Sequence, residues 1–450
     1  MKVQIVMASG KSVAADDISA TTIRKIRNRL IPLLFLLYVV AFLDRINIGF
    51  AALTMNADLR LTSAQFGFLT GIFFWGYCLF EIPSNVLLHR IGARTWIARI
   101  LVSWGIVAVL TGFVHNTRQL YVARFLLGVA EAGFFPGILL YLTYWFRKRE
   151  QARMIALFMA AIPVSNIIGA PVSGYILDQV RWSALPSWRW LLILEGLPAI
   201  VGGLVTWFLL PSRPAEARFL SAGEKHWIVT AIADEESRKI GERLSALRIL
   251  AHPRVWHVAS VSFAFQIGGY AFIFWMPQTV KSLSNLYSNT VVGVLVMIPY
   301  LAGLAAMILV SHSSDGRLER RYHAAIPLVV AGIVLILLGA VNSPLLSITL
   351  WSLAYMGIAG ANAPLFALPG DMLGGAAAAT GIALITSIGS LGGFVGPLLV
   401  GAVASGSGGI YRGLAIAGIS FFMCAALVLR LPKNVRQASA GLPGGARRFR

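Results

Sequence analysis

Asp44 and Arg45 stand side by side in "FLDRINIGF", residues 42–50, inside an apolar run that begins at Leu30. A charge at the centre of a lipid-facing helix costs about 2.5–3.5 kcal/mol even on a lenient insertion scale. Such groups therefore face a protein interior or water, with a partner. Glu81, Arg124, Glu131 and, less deeply, Glu195 lie in comparable runs. Arg124 and Glu131 are two helical turns apart, which places them on one face about 10 Å from each other. By depth along their helices, Asp44 and Arg45 are level with the space between that pair. Neighbouring residues point about 100° apart on a helix, so Asp44 and Arg45 cannot both face one partner squarely. One reaches a ligand while the other pairs inward.

These residue types suit one chemistry. Arginine stays protonated and its planar fork matches a carboxylate. A carboxyl shielded from water can take up a proton near neutral pH, unless a guanidinium beside it opposes this. The expectation is a proton-coupled carrier of an anion. Arg45 and Arg124 attract the substrate carboxylate, and Asp44 and Glu131 load and release protons. The competing reading makes all four structural ion pairs that fix helix packing. For Glu81, one turn beyond Tyr77 and just before Pro83, both readings stay open, as they do for Tyr77; Glu195 reads as structural. The second half of the chain offers no deep charge in the corresponding stretches. It offers Gln266, Tyr270, Asn362, Thr386, Ser387 and Ser390, which suggests that it recognises the rest of the ligand by neutral hydrogen bonds.

The elements that carry these residues follow from composition. The 450 residues are 57% hydrophobic and only 12% charged, against about 25% charged in soluble domains, and apolar stretches long enough to span a bilayer recur throughout. The chain reads as an all-α membrane protein with twelve spans, near 30–52, 66–87, 96–114, 119–144, 152–176, 189–210, 255–279, 290–311, 323–341, 345–367, 378–403 and 410–431. The polar, basic first 29 residues do not read as a removable signal peptide. The net charge of +20 does not point to nucleic acid, because Lys and Arg crowd alternate links. That positive-inside pattern places both termini in the cytoplasm, and the expected location is the inner (plasma) membrane. Cys78 and Cys424 lie in apolar runs and read as small buried hydrophobes.

The expected organisation is a cytoplasmic tail (1–29), a six-helix bundle (30–210), a cytoplasmic central loop (211–254) with an amphipathic surface helix near 221–240, a second six-helix bundle (255–431) and a cytoplasmic tail (432–450). The bundles read as a repeat: a shift of 226 positions carries Arg94 onto Arg320 and Pro171 onto Pro397. Parallel repeats place substrate between the two bundles near mid-membrane, with rocking for alternating access. The loops "HRIGARTW" and "DGRLERRY" are expected to lock the bundles at the cytoplasmic side through Arg90, Arg94, Asp315, Arg317 and Arg320, with Asp315 paired to a nearby arginine. A ligand role for His89 is not expected. Glycines within spans read as close helix packing.

"LDRINIGFA", "FEIPSNVLLHRIGART", "RFLLGVAEAGFFPG", "YWFRKREQARMIALFMAAIPVSNIIGAPVSGYIL" and "SIGSLGGFVGP" closely resemble the anion:cation symporter family of the major facilitator superfamily, over roughly residues 25–431. The resemblance implies transport of organic anions with protons, such as tartrate, aromatic acids or sugar acids. It implies proton-linked roles for Asp44 and Glu131, carboxylate binding for Arg45 and Arg124, and substrate contact for Tyr77. Two departures bear on substrate identity. Thr386 and Ser390 stand where many members carry Asn, and "PLFALP" lacks a usual Trp. The stretch "EAGFFPGILLYLTYWF" looks most like members for tartrate or aromatic acids.

The alternatives are an anion exchanger or exporter of the same fold, not driven by protons, and a polytopic membrane enzyme or sensor. The last lacks support: no nucleophile–base pairing, metal-ligand spacing or phosphate-cradling loop is visible. The expected partners are a small organic anion, protons and the lipid bilayer. No cofactor or metal is expected, and the protein is expected to be a monomer.

Overall fold

A computed structural model describes residues 2–183, 185–237, 252–317, 319–341, 343–372 and 377–431. Every regular element among them is helical. Twelve helices are long and apolar enough to cross a membrane. The first six spans are Ile18–Asp58, Ser63–Ile91, Ala93–Thr111, Thr117–Thr143, Lys148–Gln179 and Ser187–Leu209. The last six are Pro253–Ser282, Asn289–Arg317, Arg321–Ala340, Pro344–Leu368, Gly381–Ser405 and Gly409–Leu429. Below they are spans 1 to 12.

Local chemistry sets the helix ends. Thr62 opens span 2 with a reciprocal cap: its hydroxyl accepts from the Gln65 N–H, and Gln65 Oε1 accepts from the Thr62 N–H. Asn116 caps span 4 by accepting from the Gln119 N–H at 3.0 Å. His252 caps span 7, with Pro253 in its first turn. Each cap satisfies a donor that a helix start leaves without an intrahelical acceptor.

Three spans depart from the sequence reading, span 5 by an interruption at Ala160 between Lys148–Met159 and Ala161–Gln179. Span 1 begins well before residue 30, because its polar extension is held by a helix lying outside the bundle, Ala222–Ser237. Lys25 donates to Glu224 at 2.7 Å. Hydrogen bonds from Lys25 and then from the Ser221 N–H hold the Glu224 carboxyl below the usual carboxylate range. The tie's contribution is complete above the unfolded value of about 4.3 and is lost as pH falls through the lowered one. This outer helix matches the one expected near 221–240; residues 238–251 and 432–450 of the central loop and tail lie outside the described residues. Span 4, expected to be continuous, breaks into Thr117–Glu131 and Phe134–Thr143. Gly133 takes φ +84° at the break, and a Cβ there would sit 2.3 Å from Ser84 Oγ. Glycine meets both demands.

Spans 1 to 6 pack among themselves, as do spans 7 to 12; the halves meet where span 1 crosses 7, span 2 crosses 11 and span 5 crosses 8. The repeat offset appears in these crossings. A Cβ on Gly67 of span 2 would lie 2.5 Å from the Pro397 carbonyl oxygen of span 11. One on Gly293 of span 8 would lie 2.3 Å from the Ala170 oxygen and 2.9 Å from Pro171 Cα of span 5. The shift of 226 carries Gly67 onto Gly293 as it carries Pro171 onto Pro397. The two crossings are equivalent, and both lie toward the end opposite the arginine-bearing links. At that same end Asp178 of span 5 caps span 8, accepting from the Thr290 N–H and hydroxyl, both at 2.7 Å, and from the Asn289 amide at 2.9 Å. Gly293→Ala is expected to destabilise this closed arrangement by about 1–3 kcal/mol through overpacking, leaving each half folded. Alkylation of a cysteine introduced at Asn289 should rise accordingly.

Candidate functional site

Span 1 turns Asp44 and Arg45 to different partners, as their angular separation requires. The buried Asp44 carboxylate accepts from Trp104 Nε1 of span 3 at 2.6 Å and from Asn47 Nδ2, one turn on, at 2.9 Å. Arg45 forms an ion pair with Glu131 of span 4. Its guanidinium lies over the rings of Phe42, Phe73 and Tyr77, 5.1, 5.5 and 5.6 Å from their centroids. Glu131 is the last residue before the break in span 4, so the helix end delivers it to Arg45.

Arg124 is 1% exposed, and its Nε and Nη2 have no hydrogen-bond partner. It stands over Phe73 at 5.2 Å, so one ring carries both guanidiniums. Asp44 and Glu131 are the opposite charges within its electrostatic reach. Two cations, from spans 1 and 4, thus converge on Phe73 of span 2, with Glu131 paired to one of them and Asp44 within reach of both. Buried donors without acceptors are costly, and a carboxylate supplies acceptors in the geometry that an arginine fork matches.

The second half meets this cluster from span 7. Tyr270 packs on Phe74 with centroids 4.4 Å apart and lies within electrostatic reach of Arg45. Gln266 is half-buried against Gly392 of span 11. Asn362 of span 10 is half-buried, and its Oδ1 has no partner. Thr386 is engaged elsewhere: its hydroxyl lies 3.0 Å from Glu81 of span 2, shared with the Ala383 and Ile382 carbonyls of its own helix at 3.0 and 3.1 Å, and Ser387 donates to the other Glu81 oxygen at 2.8 Å. The Ser390 hydroxyl donates to the Thr386 carbonyl at 2.9 Å. Glu195 accepts from Ser173 at 2.8 Å and ties span 6 to span 5.

The candidate gating residues contact their own halves. Arg94 donates to the Leu210 carbonyl at 2.7 Å and to Glu216 at 3.0 Å. Arg320, just beyond span 8, pairs at 2.5 Å with Asp315 near the end of that span. Arg90 and Arg317 are exposed. Sequence reasoning missed Trp104, Phe73 and Asp178. Asn47 was legible as a polar residue one turn from Asp44; nothing in the sequence aims the Trp104 indole at that carboxylate.

The family profile of the Major Facilitator Superfamily matches residues 34–397. The chain belongs to the major facilitator superfamily. Among its relatives in this superfamily, a "Putative tartrate transporter" of Agrobacterium vitis is 42% identical over 93% of this chain and 97% of its own. The "metabolite transport protein NicT" of Pseudomonas putida, its name also qualified as putative, is 39% identical over 91% and 94%. The crystal structure of a D-xylose-proton symporter superposes with a TM-score of 0.74 at 14% identity, covering 90% of this chain and 98% of that one; that likeness concerns the fold. This member of the superfamily is therefore a multi-pass membrane transporter of a small molecule, not an enzyme.

Proposed function

We propose that this transporter imports a small organic anion across the inner membrane together with protons, both termini and the arginine-bearing links being cytoplasmic. The substrate is a carboxylate such as tartrate, an aromatic acid or a sugar acid. The observation that carries the reading is the ion pair of Arg45 with Glu131 beside Arg124, a second buried guanidinium with open donors. The two Agrobacterium vitis relatives named for tartrate support the substrate class.

Charge balance gives the mechanism. Arg45, Arg124, Asp44 and Glu131 sum to zero when all are ionised. A substrate carboxylate arriving alone leaves a net buried charge, and so does a proton arriving alone. An uncompensated buried charge costs about 3–5 kcal/mol, so neither half-loaded state is favoured. Together they restore neutrality. The proton on Glu131 removes its claim on Arg45, and the substrate carboxylate takes the vacated fork and the free donors of Arg124. A dianion requires a second proton, for which Asp44 is the second carboxyl. Tyr77, Tyr270, Gln266, Asn362 and Ser390 surround the remainder of the ligand. Rocking of the halves then exposes the loaded site to the other side.

The test is uptake of labelled carboxylates into proteoliposomes with and without an inward proton gradient. Accumulation that follows the gradient is expected. Gradient-independent uptake that responds only to an internal exchange anion would replace symport by exchange. Preference for a neutral sugar or a cation would overturn the substrate class.

A further inference from the structure

Glu81 is 1% exposed, and its two carboxylate oxygens are divided between two hydroxyls of the opposite half, Thr386 and Ser387. The cluster of Arg45, Arg124, Asp44 and Glu131 does not include it. Its place along the crossing of spans 2 and 11 is distinctive. From one end, that crossing is a run of backbone contacts: Gly401 on Ser63, Gly67 on Pro397, Gly71 on Phe394. Further along span 2, toward the arginine-bearing links, the contact changes to a carboxylate held by hydroxyls. Backbone contacts of this kind do not depend on pH, whereas a carboxylate contact does.

We propose that Glu81 is a proton-linked positioning residue of the transport cycle that clasps the two halves through Thr386 and Ser387 and releases them on protonation. Hydrogen bonds to an ionised carboxylate are roughly twice as strong as neutral ones. Protonation converts one acceptor oxygen into a donor and removes the charge, so the clasp weakens where it spans the two halves. Among the described residues, the titratable and charged groups facing Glu81 are few. Tyr77 and Cys78 share its helix and interact with it electrostatically. Arg45 of span 1 is the cation within its reach. Span 11 contributes the two hydroxyls. The inference rests on the alternating-access reading of the site but not on proton symport of any particular anion.

Full-length protein in lipid nanodiscs, with Cys78 and Cys424 replaced, is spin-labelled at Ile91→Cys and Tyr322→Cys. Both positions are about half exposed, in opposite halves, at the arginine-bearing end. Distance distributions are recorded across pH without substrate or gradient. In the parent protein the long-distance population is expected to grow as pH falls. Glu81→Gln is expected to show at least a twofold larger long-distance population at high pH and to lose that transition. A Thr386→Val, Ser387→Ala double variant, which keeps Glu81, is expected to raise the same population. Superposition of the Glu81→Gln pH profile on the parent's overturns the proposal; should that variant fail to fold, superposition of the double variant's profile does so. The readout needs no transport, so failure of the symport reading shows in uptake while this profile is unaffected.

Discussion

Glu131→Gln is expected to abolish accumulation of substrate against its gradient while counterflow exchange persists. The amide keeps the size of the carboxyl and can still accept from Arg45, so the helix end in span 4 has no packing reason to move. It cannot ionise, and Arg45 is then left without its anionic partner. The variant behaves as though permanently loaded with a proton. A substrate carboxylate binds to restore neutrality, and for a monoanion affinity becomes independent of pH over the range in which the parent protein titrates. A pH difference of one unit represents about 1.4 kcal/mol per proton. It therefore sustains about a tenfold concentration ratio for a one-proton symporter, and the variant's ratio should fall to about one. Parallel measurement of net uptake and counterflow in proteoliposomes checks both halves of the statement. Continued accumulation by Glu131→Gln would remove Glu131 from proton coupling.

The second large effect is expected at Arg124. Arg124→Lys keeps the buried charge that balances Asp44 and Glu131, so the fold is retained. It removes the planar fork whose Nε and Nη2 point at no protein acceptor. Lysine presents a point charge on a flexible stem and cannot hold a carboxylate bidentately. Hydrogen bonds to charged groups contribute about 1.5–3 kcal/mol each, so losing two fork contacts should weaken substrate binding by roughly two to four orders of magnitude. Binding to the purified transporter, with thermal unfolding as the control for fold, separates this from collapse of the cluster. Undiminished binding in the lysine variant would mean that Arg124 serves packing alone.

The charged residues were legible because membranes make them conspicuous. An acid or base inside a run of Leu, Phe and Val needs a reason, and the spacing of Arg124 and Glu131 gave their shared face. The number of spans was legible for the same energetic reason. Pairing was not. That Arg45 turns to Glu131 while Asp44 turns to Trp104 depends on how three helices are rotated, and rotation is set by packing that no local pattern states. The offset of 226 residues was visible from Arg94 and Pro171, yet its deeper expression, Gly67 standing to Pro397 as Gly293 stands to Pro171, needed the crossings themselves. Glu81 stayed balanced between two readings because its partners lie about 300 residues away. Thr386 was read as facing the ligand, and nothing near it in the chain points to a carboxyl on another helix.

The break at Gly133 divides the fourth membrane crossing into two rigid rods with a joint between them. The rod that bears Arg124 and Glu131 ends at the joint. The other runs on toward Tyr141, whose hydroxyl is anchored to the Pro211 carbonyl. Under the proposed reading, a tilt of that inner rod about Gly133 need not carry Arg124 and Glu131 with it.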